Sequence, residues 1–201
     1  MDPAKSVWLY ECQTGKNVQA AVEPLNRESA KWLCSDWFEP NWWTISDFLN
    51  LPEEQPDFHW DWVALLSRDQ NKPGRRAVCL RTADGIIQGA MVYRIGVTSA
   101  LDATKNATFF DRIATAPSNR EELVSTPVFR GVGEALLRYA VAESWFYTLG
   151  GRVNLFPVVN VEFYVNRNFR RTSVTDPETN DILYELSAED AESWLRDCGG
   201  L

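Results

Sequence analysis

A glycine-containing turn between a strand and a helix is the part of this sequence best suited to chemistry. It reads Arg130-Gly131-Val132-Gly133, and helical spacing of apolar residues follows it. The first N–H groups of a helix lack internal acceptors and lie at the positive end of its dipole, so they hold anions. The glycines leave room for a phosphate at the backbone, and Arg130 adds positive charge. Tight packing alone also produces this spacing, so both interpretations stay open.

The elements that must position this turn are indicated by the flanking residues. Residues 108–115 alternate as a strand, which Pro117 ends because proline cannot donate to a ladder. One face of this predicted strand carries Phe109, Asp111, Ile113 and Thr115. The opposite face carries Phe110, Arg112 and Ala114.

After the turn, the periodicity predicts a helix and then a second strand. Apolar and small residues recur at helical spacing: Leu136, Leu137, Ala140, Val141, Ser144 and Trp145. Gly150-Gly151 supplies a left-handed stop. An extended, largely apolar run follows, with Val153, Leu155 and Val158.

A further motif, Asn160-Val161-Glu162-Phe163-Tyr164 and then Phe169, comes one strand later. In this order the motifs resemble the second half of the GNAT superfamily of acetyl-CoA-dependent N-acetyltransferases: strand, R/Q-x-x-G-x-G/A, helix, strand, N…FY…GF. The resemblance covers residues 75–195, and TAPSN with RGVG-x-ALL is similar to a bacterial subgroup. It implies a single α/β (α+β) domain with a mixed, mostly antiparallel central sheet of about six to seven strands flanked by helices.

Two registers relate the glycine turn to the family pattern. If Gly131 and Gly133 align with the last Gly-x-Gly, the apolar stripe falls correctly but Val128 takes the Arg/Gln position. If Arg130 takes that position, Arg138 lands where a leucine belongs. We prefer the first register because the apolar stripe must face the sheet. Asn168 replaces a usual glycine, and asparagine tolerates the left-handed geometry.

The resemblance also implies a binding mode for acetyl-CoA. Its pyrophosphate would be held by a cradle of Arg130, Gly131, Val132, Gly133, Glu134 and Ala135. Its pantetheine arm would lie along the strand edge at Ile113, Ala114 and Thr115, with backbone bonds at the first and last of these. One of those N–H groups would polarise the thioester carbonyl. Asn160 would bond the pantetheine or the tyrosine loop; its alternative role is to cap a short helix.

The catalytic roles implied by the resemblance fall on two side chains. Tyr164 matches the tyrosine that donates a proton to the departing sulfur; the alternative is simple packing of a Phe-Tyr pair. Asp111 would accept the amine proton directly or through water, or bind the ammonium ion; the alternative is a salt bridge with a nearby arginine. Glu162 is interpreted as a helix-start charge rather than a base.

Composition restricts the class of protein. With 20 Lys+Arg and 28 Asp+Glu in 201 residues, the net charge of −8 disfavours a nucleic-acid partner and mildly favours an amine-bearing acceptor. No apolar run approaches about 18 residues, and no apolar signal core opens the chain. We therefore expect neither membrane insertion nor secretion. The expected location is the cytoplasm. Cys12, Cys34, Cys79 and Cys198 form no CxxC pair and His59 is the one histidine, so no metal site is expected.

The remaining elements divide the single domain at residue 74. Residues 1–74 predict a strand at 6–12, a helix from Asn26, and helical turns from Asp61. Seven of the nine tryptophans precede residue 63; they are interpreted as core or as an acceptor pocket or lid, with Trp42 and Trp43, near Pro40, the more exposed candidates. Residues 75–201 open with a hairpin turning at Asp84-Gly85 and end with a strand from Asp181 and a helix capped by Ser187.

Three functions follow as hypotheses. The leading one is a cytosolic N-acetyltransferase that transfers an acetyl group from acetyl-CoA to a primary amine of a small molecule or protein. The second is a non-catalytic GNAT-fold module that binds CoA or a protein partner. The third is a CoA-free acyltransferase on this fold. The sequence leaves the acceptor open, and a homodimer is possible because an apolar strand edge could be covered by a partner.

Overall fold

One nine-stranded sheet organises the part of the chain that the computed structural model describes, residues 5–37, 57, 60–67, 73–158 and 160–197. The strands are β1 (Ser6–Glu11), β2 (Lys16–Pro24), β3 (Arg75–Thr82), β4 (Ile87–Thr98), β5 (Asn106–Thr115), β6 (Phe129–Arg130), β7 (Val153–Leu155), β8 (Arg170–Thr175) and β9 (Ile182–Leu186). Their spatial order is β6-β1-β2-β3-β4-β5-β7-β9-β8. Of the strand pairs, β5–β7 is parallel and the rest are antiparallel.

The predicted fold class, a mixed and mostly antiparallel sheet flanked by helices, is confirmed. The sheet has nine strands rather than about six or seven, because β2, β6 and β8 were not among the individually predicted strands. β2 follows β1 through a turn at Gly15 (φ +68°) and lacks a clean alternation of apolar residues. β6 is two residues long and exists as a strand because Tyr10 and Glu11 of β1 pair with it. The division at residue 74 stays a prediction.

Five α-helices cover the two faces of the sheet in the described residues: α1 (Arg27–Asp36), α2 (Trp62–Ser67), α3 (Val132–Phe146), α4 (Val161–Val165) and α5 (Ala188–Asp197). On one face, α3 and α5 pack a core with Leu9, Leu80, Met91 and Phe110. On the other face, α1 and α2 pack against Cys79, Ala90, Val92 and Ala114. None of the described helices combines the length and the apolar character needed to cross a membrane.

Local sequence signals explain where these helices begin. Asn26 caps α1, and its Oδ1 accepts a hydrogen bond from the N–H of Ser29 at 2.9 Å, so the helix begins directly after the residue from which the sequence predicted it. Ser187 caps α5 by accepting from the N–H of Asp190 at 3.2 Å. The predicted hairpin at Asp84-Gly85 joins β3 to β4, and Gly85 has the left-handed φ of +88° that this turn requires.

Part of the tryptophan-rich segment belongs to the core. Trp37 and Trp62 are fully buried, and their rings meet edge to face at 6.0 Å. These two residues therefore support the core interpretation. Trp42, Trp43, Pro40, His59 and Cys198 lie outside the described residues, so their predicted roles stay predictions.

Candidate active site

An opening between β5 and β7 exposes the backbone of the strand that leads to the glycine turn. The parallel pairing of these strands ends at Phe110 and Leu155, so residues 111–115 pair with no strand on that side within the described residues. Beyond them, the N–H of Ala116 donates to the carbonyl of Gln88 on the β4 side at 2.8 Å. Because donors alternate along a strand, Ile113 and Thr115 direct their N–H and C=O groups toward the opening.

Ala114 has the opposite backbone orientation. It lines the same cavity as its two neighbours, but the alternation directs its N–H and C=O groups toward β4, where it pairs with Ala90. Of the three residues predicted to hold the pantetheine arm, Ile113 and Thr115 thus offer backbone groups, and Ala114 offers a small, nearly buried side chain.

A β-bulge at Asp111 changes which side chains of β5 share a face. Val92 of β4 pairs with Arg112 and Tyr93 pairs with Phe110, so Asp111 is an extra residue between two ladder pairs. The predicted strict alternation is therefore wrong across this point. Phe110 and Ile113 both pack on the α3 side.

On the opposite face of β5, the bulge brings together Asp111 and Arg112, which strict alternation would place on opposite faces of the strand. Arg112 lies over the ring of Trp60 at 5.1 Å from its centroid. Asp111 reaches arginines on the same face of the sheet: its Oδ1 accepts a hydrogen bond from Nε of Arg94 at 3.0 Å, and Nη1 of Arg75 lies 3.8 Å from its Oδ2. The salt-bridge interpretation of Asp111 therefore describes its resting contacts, and a role as base stays a proposal.

The N-terminus of α3 lies beside the end of β5. Gly131 is its cap in the left-handed region at φ +82°, and the first helical bond runs from the N–H of Ala135 to the carbonyl of Gly131 at 2.8 Å. The N–H groups of Val132, Gly133 and Glu134 precede that bond and so have no acceptor within the helix. A Cβ placed on Gly133 would lie 3.7 Å from Cγ2 of Thr115, so the helix start and the strand opening adjoin.

Burial along α3 favours the register in which Gly131 and Gly133 align with the last Gly-x-Gly of the family pattern. Leu136 and Leu137 are fully buried against the sheet, whereas the Arg138 side chain is 37% exposed. Val128, at the position of the usual Arg or Gln, is 44% exposed.

Ion pairs surround the helix start. Nη2 of Arg130 lies 3.0 Å from Oε1 of Glu121, and both side chains are largely exposed. Glu134 accepts hydrogen bonds from Arg138 at 2.6 Å and from Arg167 at 2.8 Å. Burial alone would raise the pKa of Glu134, but the hydrogen bonds from the two arginines outweigh it and hold this pKa below its usual value.

The loop after β5 is fastened by two residues that the sequence analysis missed. Asn119 donates to Oε1 of Gln88 at 2.9 Å and accepts from the N–H of Phe129 at 2.9 Å. The buried Arg120 forms an ion pair with Asp57, with Nη1 at 2.7 Å from Oδ1, and also bonds the carbonyl of Thr115. Asn and Arg in a polar loop give no local signal of burial, because their partners are distant in sequence.

Tyr164 and Asn160 lie on and before the short helix α4. Asn160 is left-handed (φ +52°) and its Oδ1 accepts from the N–H of Phe163 at 3.2 Å, so it acts as a helix cap; its predicted contact with cofactor stays a prediction. The Tyr164 ring meets Phe163 and Phe169 edge to face at 5.1 and 5.6 Å. Burial raises the pKa of Tyr164 to about 12, with nearby Arg167 acting in the opposite direction.

One cavity brings the two predicted catalytic residues together. Its volume is about 180 Å³, and its wall includes Asp111, Ile113, Thr115, Gly133 and Tyr164. The strand opening, the helix start and the tyrosine therefore share one space. Four of the predicted cradle residues lie outside this cavity, along a groove between β1 and α3: Arg130, Gly131, Glu134 and Ala135.

Comparisons with known proteins define the fold. No protein-family model matches the sequence, and no curated protein does either. Solved structures do match: FdhC, a nucleotide-linked sugar GNAT, in apo form (10% identity, 97% of each chain, TM-score 0.57), and a GNAT acetyltransferase from Staphylococcus aureus Mu50 (12%, 83% of this chain, 97% of that chain, 0.54). Another is the spermidine N-acetyltransferase from Vibrio cholerae in complex with CoA and spermine (14%, 86% and 98%, 0.52). The chain thus has the fold of the GNAT acetyltransferases.

Proposed function

We propose that this protein is an N-acetyltransferase that transfers an acetyl group from acetyl-CoA to a primary amine. The observation that supports this most strongly is the junction of the strand opening with the helix start at Thr115 and Gly133, separated by 3.7 Å once a Cβ is added. Acetyl-CoA is an extended thioester arm joined to a pyrophosphate, so it needs a groove and an anion site end to end.

The pyrophosphate is assigned to the start of α3. The N–H groups of Val132, Gly133 and Glu134 provide donors at the positive end of the helix dipole. Arg130 stands just before the cap, and its ion pair with Glu121 is exposed. An exposed pair contributes little, so exchanging Glu121 for a phosphate costs little free energy.

The pantetheine arm and the thioester are assigned to the opening beside β5. The N–H and C=O groups of Ile113 and the N–H of Thr115 can pair with the amides of the arm as a further strand would. An N–H of this edge that points at the thioester oxygen stabilises the negative charge that develops there during attack. The carbonyl of Thr115 already accepts from Arg120, which leaves its N–H as the available group.

Transfer needs one proton donor and one proton acceptor. The amine nitrogen attacks the acetyl carbonyl carbon, the C–S bond breaks, and the electron pair leaves on sulfur. Tyr164 donates its proton to that sulfur; a pKa raised to about 12 by burial keeps the hydroxyl protonated at neutral pH. The proton released by the amine passes to Asp111, directly or through water, while Arg94 orients this carboxylate.

The first experiment is calorimetric titration with acetyl-CoA of wild type, Gly133→Glu and Gly133→Gln. The two side chains have the same size, so their difference isolates the charge placed at the anion site. A carboxylate near a helix N-terminus stabilises the helix, so a loss of affinity in Gly133→Glu will not come from unfolding. We expect both variants to bind more weakly than wild type and Gly133→Glu to bind at least tenfold more weakly than Gly133→Gln.

Two results would contradict the proposal in different ways. Absence of acetyl-CoA binding by the wild type would exclude the acetyl donor itself. Binding without CoA release in the presence of any primary amine tested would favour a non-catalytic CoA-binding module instead.

A further inference from the structure

The charges around the cavity indicate what the acceptor carries besides its amine. Within the described residues, five charged side chains line this cavity: Asp57, Asp111, Arg112, Arg120 and Glu122. Two of them, Asp57 and Arg120, form a buried ion pair with each other and are neutral as a unit.

Asp111 is also matched by cations. Arg94 donates to it at 3.0 Å and Arg75 lies 3.8 Å away, so a single carboxylate faces two guanidinium groups. An acceptor that offers only an ammonium ion would therefore meet a carboxylate that is already paired with Arg94. The net charge of the chain, −8, does not describe this wall of the cavity.

Arg112 is held with most of its donors available. In the described part of the chain its guanidinium donates one hydrogen bond, from Nη1 to the carbonyl of Asp111 at 2.6 Å, and lies over the Trp60 ring. The N–H groups of Glu178 and Thr179, at 2.8 and 3.1 Å from Oδ1 of Asp176, hold the pKa of Asp176 below its usual value, and Arg112 contributes less to this shift. Stacking on an indole fixes the plane of a guanidinium and leaves its edge free for a bidentate anion.

The position of Arg112 places such an anion near the reaction. Arg112 directly precedes Ile113, whose backbone faces the opening assigned to the thioester, and residues along a strand are about 3.3 Å apart. The bulge at Asp111 is what turns Arg112 toward Trp60 rather than toward α3. Glu122, the remaining acidic residue of the cavity wall, carries a negative charge that attracts the ammonium group of an acceptor.

We propose that the acceptor is a small molecule that carries an anionic group, a carboxylate or a phosphate, close to its amine, and that Arg112 on Trp60 binds this group. This inference rests on the proposed acetyl transfer. It assigns to Arg112 a role in specificity, with no part in moving protons.

The test uses acceptor pairs that differ in the anionic group alone. L-amino acids are compared with their amides, and O-phosphoethanolamine with ethanolamine, by CoA release and by calorimetric binding. We expect the anionic member of at least one pair to have a kcat/KM at least tenfold higher in wild type. The first pair reports on carboxylate and the second on phosphate.

Arg112→Gln supplies the decisive variant, and Arg76→Gln is its matched control. Arg76 also donates from Nη1 to the carbonyl of the preceding residue, at 2.9 Å, but does not line the cavity. We expect Arg112→Gln to lower kcat/KM for the anionic acceptor about 100-fold and to leave that for its neutral partner within threefold. Arg76→Gln should retain the wild-type preference.

The outcomes separate this inference from the function on which it rests. Amides or ethanolamine acetylated as well as their anionic partners, or a preference that survives Arg112→Gln, would overturn the anion site while acetyl transfer stands. If acetyl-CoA fails to bind, acetyl transfer is refuted. Calorimetry then still decides whether the anion site exists. Tighter binding of the anionic member by wild type, lost in Arg112→Gln, would support the site, and equal binding of the two members would overturn it.

Discussion

Arg120 donates hydrogen bonds from Nε and Nη2 to the carbonyl oxygen of Thr115, at 3.0 and 2.6 Å, in the loop that leads to the helix start. The same guanidinium forms the buried ion pair with Asp57. Through Arg120, Asp57 thereby helps to hold Thr115, the last residue of the strand that we assign to the acetyl donor.

Asp57→Asn tests the contribution of this ion pair to stability. The substitution removes the carboxylate that forms a buried ion pair with Arg120, so we expect the free energy of unfolding to fall by about 3 kcal/mol. Urea denaturation measures it. Glu121→Gln is the control, because it removes a carboxylate from the exposed pair with Arg130 and should cost no more than about 1 kcal/mol. Equal effects of the two substitutions would contradict a structural role for the buried pair.

Tyr164→Phe tests the proton donor. The substitution keeps the ring that packs on Phe163 and Phe169 and removes the hydroxyl. We expect kcat to fall about 100-fold, within the range typical of general acids, with affinity for acetyl-CoA unchanged. Steady-state assays of CoA release measure kcat, and calorimetry measures the affinity for acetyl-CoA. An unchanged kcat would reduce Tyr164 to a packing residue.

The pH dependence provides a separate test of the same hydroxyl. An acid works only while protonated, and the pKa of Tyr164 is raised to about 12, so the wild-type rate should not decline between pH 8 and about pH 10.5. A decline centred near pH 8 to 9 would show that a different group supplies the proton.

The sequence predicted those parts of the site that depend on local order. The glycine turn before a helix, the left-handed Asn168 (φ +64°) in place of a glycine, and the alternative role of Asn160 as a helix cap all follow from residues near one another in the chain. Backbone conformation is decided locally, so such features can be read without knowing the fold.

The sequence could not predict features that depend on pairing across the sheet. The bulge at Asp111 is defined by the register of β5 against β4: Val92 pairs with Arg112, Tyr93 pairs with Phe110, and Asp111 is the extra residue between them. Only that register reverses the alternation and brings Arg112 onto Trp60. Likewise, β6 is too short to have a pattern of its own.

Gly89→Ala tests how closely α3 approaches the sheet. A Cβ on Gly89 would lie 2.7 Å from Cγ1 of Val132 and 3.3 Å from the carbonyl oxygen of Ala114, so the helix start would have to move. We expect a loss of about 2 kcal/mol in unfolding free energy, as for overpacked cores, and weaker acetyl-CoA binding. Gly133→Ala is the control for stability, since its Cβ meets only ordinary contact at 3.7 Å. A stable Gly89→Ala protein with normal binding would contradict this close packing.

Asp111→Asn and Arg94→Gln together decide what Asp111 does. If Asp111 accepts the amine proton, Asp111→Asn should lower kcat/KM about 100-fold, because an amide is not a base. Arg94→Gln leaves the carboxylate in place, and Arg75 stays 3.8 Å away, so the loss should be less than tenfold. Steady-state kinetics at saturating acetyl-CoA measures both. Equal losses in the two variants would instead show that the ion pair matters as a unit that holds the bulge, and the proton would then have to leave through water.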